Sequence, residues 1–299
     1  RQAVRWSQTQ TLALEKLARQ EQVTLFMLVM AALQTFLHRY SGTEDIVVGS
    51  PVSGRIRPEA EDVVGFFANT VLFRTSLAGE PTFREVLGRV REVALDAYDH
   101  QAMPFDRLVE ALRPQRMSGK APLAQVYFGL YAFHGPPLGL PGLSATPVEI
   151  TPGAAKFDLT ISVARRDSGL EGYVEYDAGL FEPSTIARMM VHFETLLAGA
   201  AANPDLLVSA LPLISADEER QAWIEWNDTA RALPERTSLW DVFQGRARRD
   251  PSAPAIRSPQ GCWSYATLAE RASTISRQLF GAGVRRGDGV GVLMDPSAS

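Results

Sequence analysis

Between Thr24 and Tyr40 the apolar residues Phe26, Val29, Met30, Leu33, Phe36, Leu37 and Tyr40 recur at helical spacing and form one stripe. The stripe predicts a buried helix. Ser41 and Gly42 end it, because glycine most easily takes the left-handed conformation that closes a helix. The most apolar run, Val23 to Leu33, is about ten residues long, half of the roughly twenty a membrane span needs. A short buried strand is expected at "DIVVG", left through a loop "SPVSGR". A second helix starts at Thr82, where Thr82 and Glu85 have capping-box spacing, and its stripe is Phe83, Val86, Leu87, Val90, Ala94, Ala97 and Tyr98. Pro104 is expected in the first turn of a third helix carrying Phe105, Leu108, Val109 and Leu112.

From Leu123 onward the period changes. "LAQVYFGLY" is apolar, aromatic and β-branched and reads as a strand, whereas "HGPPLGLPGL" is too dense in Pro and Gly to continue any element. "KFDLTISVAR" and "LEGYVEYD" alternate like paired strands, and Pro183 opens a helix whose core face is Ile186, Met189, Met190, Phe193, Leu196 and Leu197. Residues from about Pro212 to Arg236 are polar and read as an interdomain linker, with Trp223 and Trp226 as anchors on a neighbour. A new pattern follows: the helix "SLWDVFQGRAR", the strand "APAIRS", a turn at Pro259 to Gly261, the helix "SYATLAERASTISRQLFGAG" and a final buried strand "GVGVLM". Helices alternating with strands on both sides of the linker make the chain α/β.

Composition narrows the classes without selecting one. The 299 residues are 45% hydrophobic and 21% charged, ordinary globular usage that excludes a disordered or fibrous chain. Thirty basic against thirty-four acidic residues give a net charge of -4, so no basic excess points to nucleic acid. A single cysteine, Cys262, cannot close an internal disulfide, and a reduced cytoplasmic setting with an inert thiol is the expectation. The opening at Arg1 and the closing "VGVLMDPSAS" read as cuts through folded structure, so a fragment of something longer is expected.

Candidate chemistry is sparse. Four scattered histidines and one cysteine offer no metal-ligand spacing, and neither a phosphate loop, a dinucleotide fingerprint nor a nucleophile elbow is present. His38 suits the dipole at a helix end, His134 lies in the Pro/Gly loop, and His192 falls off its helix's stripe and is expected in solvent. His100 joins two helices, where a structural hydrogen bond is favoured over acid–base work. Asn69 interrupts the apolar run "VVGFFANTVLFR" and must either satisfy backbone or face a cavity. Arg55 needs a carboxylate partner if it points inward.

Six segments in series, "DIVVGSPVSGR", "VVGFFANTVLFRT", "HQAMPFDRLVEAL", "APLAQVYF", "KFDLTISV" and "YDAGLFEPSTIARMMVHFETLL", resemble the successive motifs of the condensation domain of nonribosomal peptide synthetases. The resemblance covers residues 1–211 and implies the C-terminal part of such a domain, a chloramphenicol-acetyltransferase-like subdomain with a mixed sheet packed by helices. Residues 212–236 are similar to the linker that follows such domains. Residues 237–299 resemble the first α/β elements of an adenylate-forming, AMP-binding domain.

What the family implies is an amide-forming reaction between thioesters carried on the phosphopantetheine arms of donor and acceptor carrier domains. Its histidine comes from an H-H-x-x-x-D-G motif that this sequence lacks, since no two of its histidines are adjacent. No catalytic residue is therefore expected here. Arg55 matches the arginine that pairs with that motif's aspartate, Asn69 matches the tunnel-facing asparagine of "G-x-F-x-N-T", and Gly65, His100, Pro104 and Phe105 fall on structural motif positions. Ala68 stands where Val is common and Ala102 where Asp is frequent. ATP and Mg would belong to a complete adenylation domain and are not expected to bind here. The expected partners are the two carrier domains, the complementary condensation subdomain and the rest of the adenylation domain. A non-catalytic half-domain that docks a carrier protein is the alternative; epimerisation and heterocyclisation domains share the fold. The expected tunnel-facing surface should be exposed and apolar.

Overall fold

The computed structural model describes residues 1–114, 119–131, 153–232, 238–258 and 261–293, and the descriptions of structure below concern these. His134, the loop "HGPPLGLPGL" and Pro259 lie outside them. The chain divides into two compact units, Arg1–Asn227 and Asp228–Ser299.

The first unit is built on a six-stranded mixed sheet. Its strands are β1 (Gln2–Ser7), β2 (Asp45–Val52), β3 (Asn69–Ser76), β4 (Val126–Tyr131), β5 (Leu159–Arg166) and β6 (Gly169–Tyr176), in the order β1-β6-β5-β4-β2-β3. The β1/β6, β6/β5 and β2/β3 pairs are antiparallel, while β5/β4 and β4/β2 are parallel. The paired reading of "KFDLTISVAR" and "LEGYVEYD" holds, with Leu159 opposite Tyr176 and Arg166 opposite Gly169.

Helices α1 (Gln8–Gln20), α2 (Leu25–Ser41), α3 (Phe83–Asp99) and α5 (Pro183–Ala202) share one core with the sheet residues Val4, Trp6, Val48, Phe73, Phe128, Ile161, Leu170 and Val174. Helix α2 is central: every residue from Met27 to Phe36 is buried. Each large side chain so removed from water stabilises the fold by about 1.5–3 kcal/mol before the entropy cost of ordering it. Gly42 closes α2 at φ 71°, as its position after the stripe predicts. The Thr82–Glu85 capping box of α3 is also present, with both reciprocal bonds made.

Several elements depart from the pattern reading. Residues 1–20, which carry no predicted element, form β1 and α1, and the latter starts with a Ser7–Gln10 capping box. Strand β2 runs on through Val52, because Ser50, Pro51 and Val52 pair with Val71, Thr70 and Asn69. Helix α4 is Phe105–Leu112 with Pro104 as its N-cap, one position before the expected first turn.

His192 is not in solvent. It is 7% exposed, lying three residues after Met189 and four before Leu196 on the rim of the α5 stripe. The polar segment after Pro212 contains helix α6 (Ala216–Arg220), which continues as a π-turn over Gln221–Glu225. Trp223 and Trp226 are 74% and 70% exposed, so they do not anchor it. Glu218 does, by bonding His192.

The second unit holds α7 (Leu239–Arg249), a hairpin of β7 (Pro254–Ser258) and β8 (Gly261–Ser264), and α8 (Tyr265–Gly281). The expected strand "GVGVLM" is absent from residues 289–293; Val292 and Leu293 are exposed, and no described strand pairs with them. A strand needs a neighbour to take up its backbone hydrogen bonds, and apolar content alone does not supply one.

Candidate functional site

The C-terminal end of β2 and the N-terminal end of β3 lie side by side, with Val52 opposite Asn69, and the loop 53–68 connects them. The loop turns on Gly54, whose φ is 67°. A Cβ there would run into the Phe67 carbonyl oxygen, so the loop folds back on itself only around glycine. The residue that follows is Arg55. It is half-buried, and its guanidinium donates to the carbonyl oxygens of Ala60 and Gly65 while its Cζ sits 4.5 Å from the centre of the Phe67 ring. Among the described residues it meets no carboxylate. Carbonyls and a ring face hold the charge in place, which suits the planar, fork-shaped guanidinium.

Around Arg55 the loop is open and exposes large apolar side chains among its charged ones. Val64 is 101% and Phe66 94% exposed, and Ile56 and Val63 are exposed beside them. "VVGFF" is therefore not core, as its composition suggests in isolation, but a bare apolar surface at the end of the sheet. A shallow concavity lined by Ile56, Arg57, Pro58, Glu59, Ala60, Val63 and Phe67 lies on it.

Asn69 satisfies backbone, one of the two alternatives its sequence context leaves open. Its Nδ2 donates to the carbonyls of Gln101 (3.0 Å) and Met103 (2.7 Å), and its Oδ1 accepts from the Phe105 amide (3.1 Å). Two acceptors and one donor surround the side chain, which fixes its orientation. The last bond is a helix cap supplied from another element. Pro104, at the N-cap of α4, has no side-chain acceptor, so Asn69 reaches across from β3 to satisfy the first helical N–H. Thus Asn69, Pro104 and Phe105 are brought together, with Thr70 and Tyr127 behind them at 3.5 Å between oxygens. Tyr127 stacks on Phe157 at 4.6 Å, and burial raises its phenol above the ordinary value.

His100 caps α3. Its Nδ1 bonds the Asp96 carbonyl at 2.9 Å, with the Asp96 carboxylate 3.4 Å away, and the ring is largely exposed. The Asp96 carbonyl bond, then the Asp96 charge, raises its pKa from the ordinary value. Its side chain is spent on its own helix, unlike a base aimed at a substrate. Gly65 contributes the carbonyl that Arg55 binds. No group of metal ligands occurs among the described residues. What the described residues assemble is an exposed apolar platform with its loops pinned and with charges of both signs, Arg55 and Arg57 against Glu59, Glu61 and Asp62, and among them no nucleophile or positioned base is in place.

Two of its parts escaped the sequence reading. Phe67, the ring under Arg55, has no signal beyond its aromatic type. Gly54 has one: Ser-Gly-Arg directly after an apolar strand is turn chemistry.

Residues 1–222 match the model of the family described as "Condensation domain". The chondramide synthase of Chondromyces crocatus is 39% identical over 290 residues, which is 96% of this chain and 7% of that protein. The chain thus spans a small part of the length of such relatives. A four-domain nonribosomal peptide synthetase, bound to AMP and glycine, has a similar fold with a TM-score of 0.76 at 23% identity; the match covers 96% of this chain and 23% of that one. The X-domain from teicoplanin biosynthesis matches with a TM-score of 0.65 and 28% identity over 71% of this chain and 49% of its own. No single helix among the described residues is long and apolar enough to cross a membrane.

Proposed function

This chain belongs to the condensation-domain family of nonribosomal peptide synthetases, and from that premise we propose that residues 1–211 are the C-terminal lobe of a peptide-bond-forming domain. The observation that carries the reading is the platform at the β2/β3 end: Arg55 and Asn69 fixed by backbone carbonyls, beside the bare face of Ile56, Val63, Val64 and Phe66. A second lobe would cover that face. Such apolar surface is stable in water only when something covers it.

In the complete domain the acceptor's amine attacks the donor's thioester carbonyl, forming a C–N bond. The C–S bond then breaks and the departing sulfur takes up the proton lost by nitrogen. Both thioesters arrive as cargo on phosphopantetheine arms of carrier domains. The proton-handling histidine belongs to the H-H-x-x-x-D-G motif, and no adjacent histidines exist in this sequence. In this reading Arg55 meets that motif's aspartate, and Asn69 acts only through the 101–105 loop. Residues 237–299 are read as the opening of an adenylation domain. They contain no lysine, and no step with ATP is assigned to them.

The test is reconstitution. Mixed with a lobe bearing the motif and two loaded carrier domains, the chain should yield dipeptidyl thioester, and alone it should yield none. Rapid product from the chain alone overturns the two-lobe reading. Product in neither case, together with capture of a carrier domain by the chain, would instead establish a docking half-domain.

A further inference from the structure

Outside the platform, the described structure holds one buried titratable side chain that the proposed reaction does not use. His192 on α5 has both ring nitrogens engaged. Nδ1 lies 2.5 Å from the Tyr40 hydroxyl at the end of α2, and Nε2 lies 2.9 Å from Oε1 of Glu218 on α6. A carboxylate only accepts, so Nε2 carries the hydrogen shared with Glu218, and the Tyr40 hydroxyl, which can donate or accept, completes the second bond at Nδ1. The tyrosine ring is itself held by Phe36 at 4.5 Å, and Phe36 packs on Phe193 at 5.4 Å. Glu218's other oxygen closes the capping box of α6, accepting from the Ser215 amide and hydroxyl at 2.9 Å each. One carboxylate therefore shapes the start of α6 and ties it to the core. No side chain of α6 or its π-turn is buried, so little else holds the segment down.

We propose that Tyr40–His192–Glu218 is a catch that straps residues 215–227 onto the first unit and sets where the connection to the second unit begins. Released, the 13 residues 215–227 come free, at most about 45 Å of chain at the ~3.3–3.6 Å per residue of a fully extended backbone. The catch is a conformational device: residues 215–227 are held on the first unit or freed according to one buried imidazole contact.

Hydrogen exchange on the full chain tests it. His192→Phe keeps the buried volume and the α5 packing but removes both bonds. Glu218→Gln keeps a capping-box residue but removes the charge facing His192. Each should speed exchange of the 216–226 amides by tenfold or more while α2 and α5 stay protected. The double variant should go no further than the stronger single one, because both break the same contact. Unchanged exchange in 216–226 in both variants, or effects that simply add, would refute the catch. If His192→Phe loosens the whole unit, Glu218→Gln, at a partly exposed position outside the core, decides alone: local release supports the catch and no release refutes it.

Discussion

The sharpest consequence of the structure concerns Asn69→Ala. The substitution deletes three hydrogen bonds to backbone, those with Gln101, Met103 and Phe105. A neutral bond contributes about 1 kcal/mol net, so the sum is about 3 kcal/mol. Asn69 is only half-buried, and water recovers part of this for the freed carbonyls, leaving about 2 kcal/mol. The loss should be local. Helix α4 buries no residue fully, so when its cap goes, α4 and the 101–105 loop loosen while the core stays intact. A change of about 2 kcal/mol is about thirtyfold in an opening equilibrium. Amide exchange across 101–112 should accelerate by that factor, with α2 and α3 unaffected. Asn69→Asp is the sharper variant. It keeps the acceptor for the Phe105 amide but turns an oxygen toward the Gln101 and Met103 carbonyls, and it should loosen the loop more at pH 7 than near pH 3, where the carboxyl is protonated and can donate. Wild-type exchange across 101–112 in Asn69→Ala would refute the staple.

Other outcomes follow from the same geometry. Glu218 is held down to about 2 by the Ser215 backbone bond and then by His192, below its ordinary 4.5. A depressed carboxylate stabilises the fold fully above its unfolded value and progressively less below it. Exchange protection of 216–226 should therefore be flat above about pH 5 and fall between about pH 4.5 and pH 2, by a modest amount because Glu218 is partly exposed and solvent screens it. A pH-independent profile over that window would contradict this. Val64→Ser with Phe66→Ser should cut binding of an apolar dye while leaving the melting temperature unchanged, since neither side chain is buried; undiminished dye binding would place the sticky surface elsewhere. Gly54→Ala should displace the 53–68 loop and weaken Arg55's seating, because the new methyl collides with the Phe67 carbonyl. Unperturbed amide resonances across 55–67 would count against it.

The sequence alone determined the elements whose burial repeats with a period. The α2, α3 and α5 stripes, the Thr82–Glu85 cap, the Gly42 stop and the β5/β6 pair were all legible, because a helix or hairpin buries a face that its own residues spell out. The motif series also carried the family, and with it the positions of Arg55 and Asn69. Tertiary structure decided what each of these side chains does. "VVGFF" and the described part of "GVGVLM", residues 289–293, are equally apolar in text, yet neither is core, since burial depends on what lies opposite. Asn69 reads as a group that satisfies backbone or faces a cavity, and only the fold shows which backbone: it caps a helix more than thirty residues away in sequence. His192 reads as solvated, yet it lies in the interior because Tyr40 and Glu218 arrive from α2 and α6 to satisfy both its nitrogens. Periodicity is local and survives in one dimension. A polar group's partner is set by which strands and helices the fold brings within about 3 Å, and no local pattern encodes that distance.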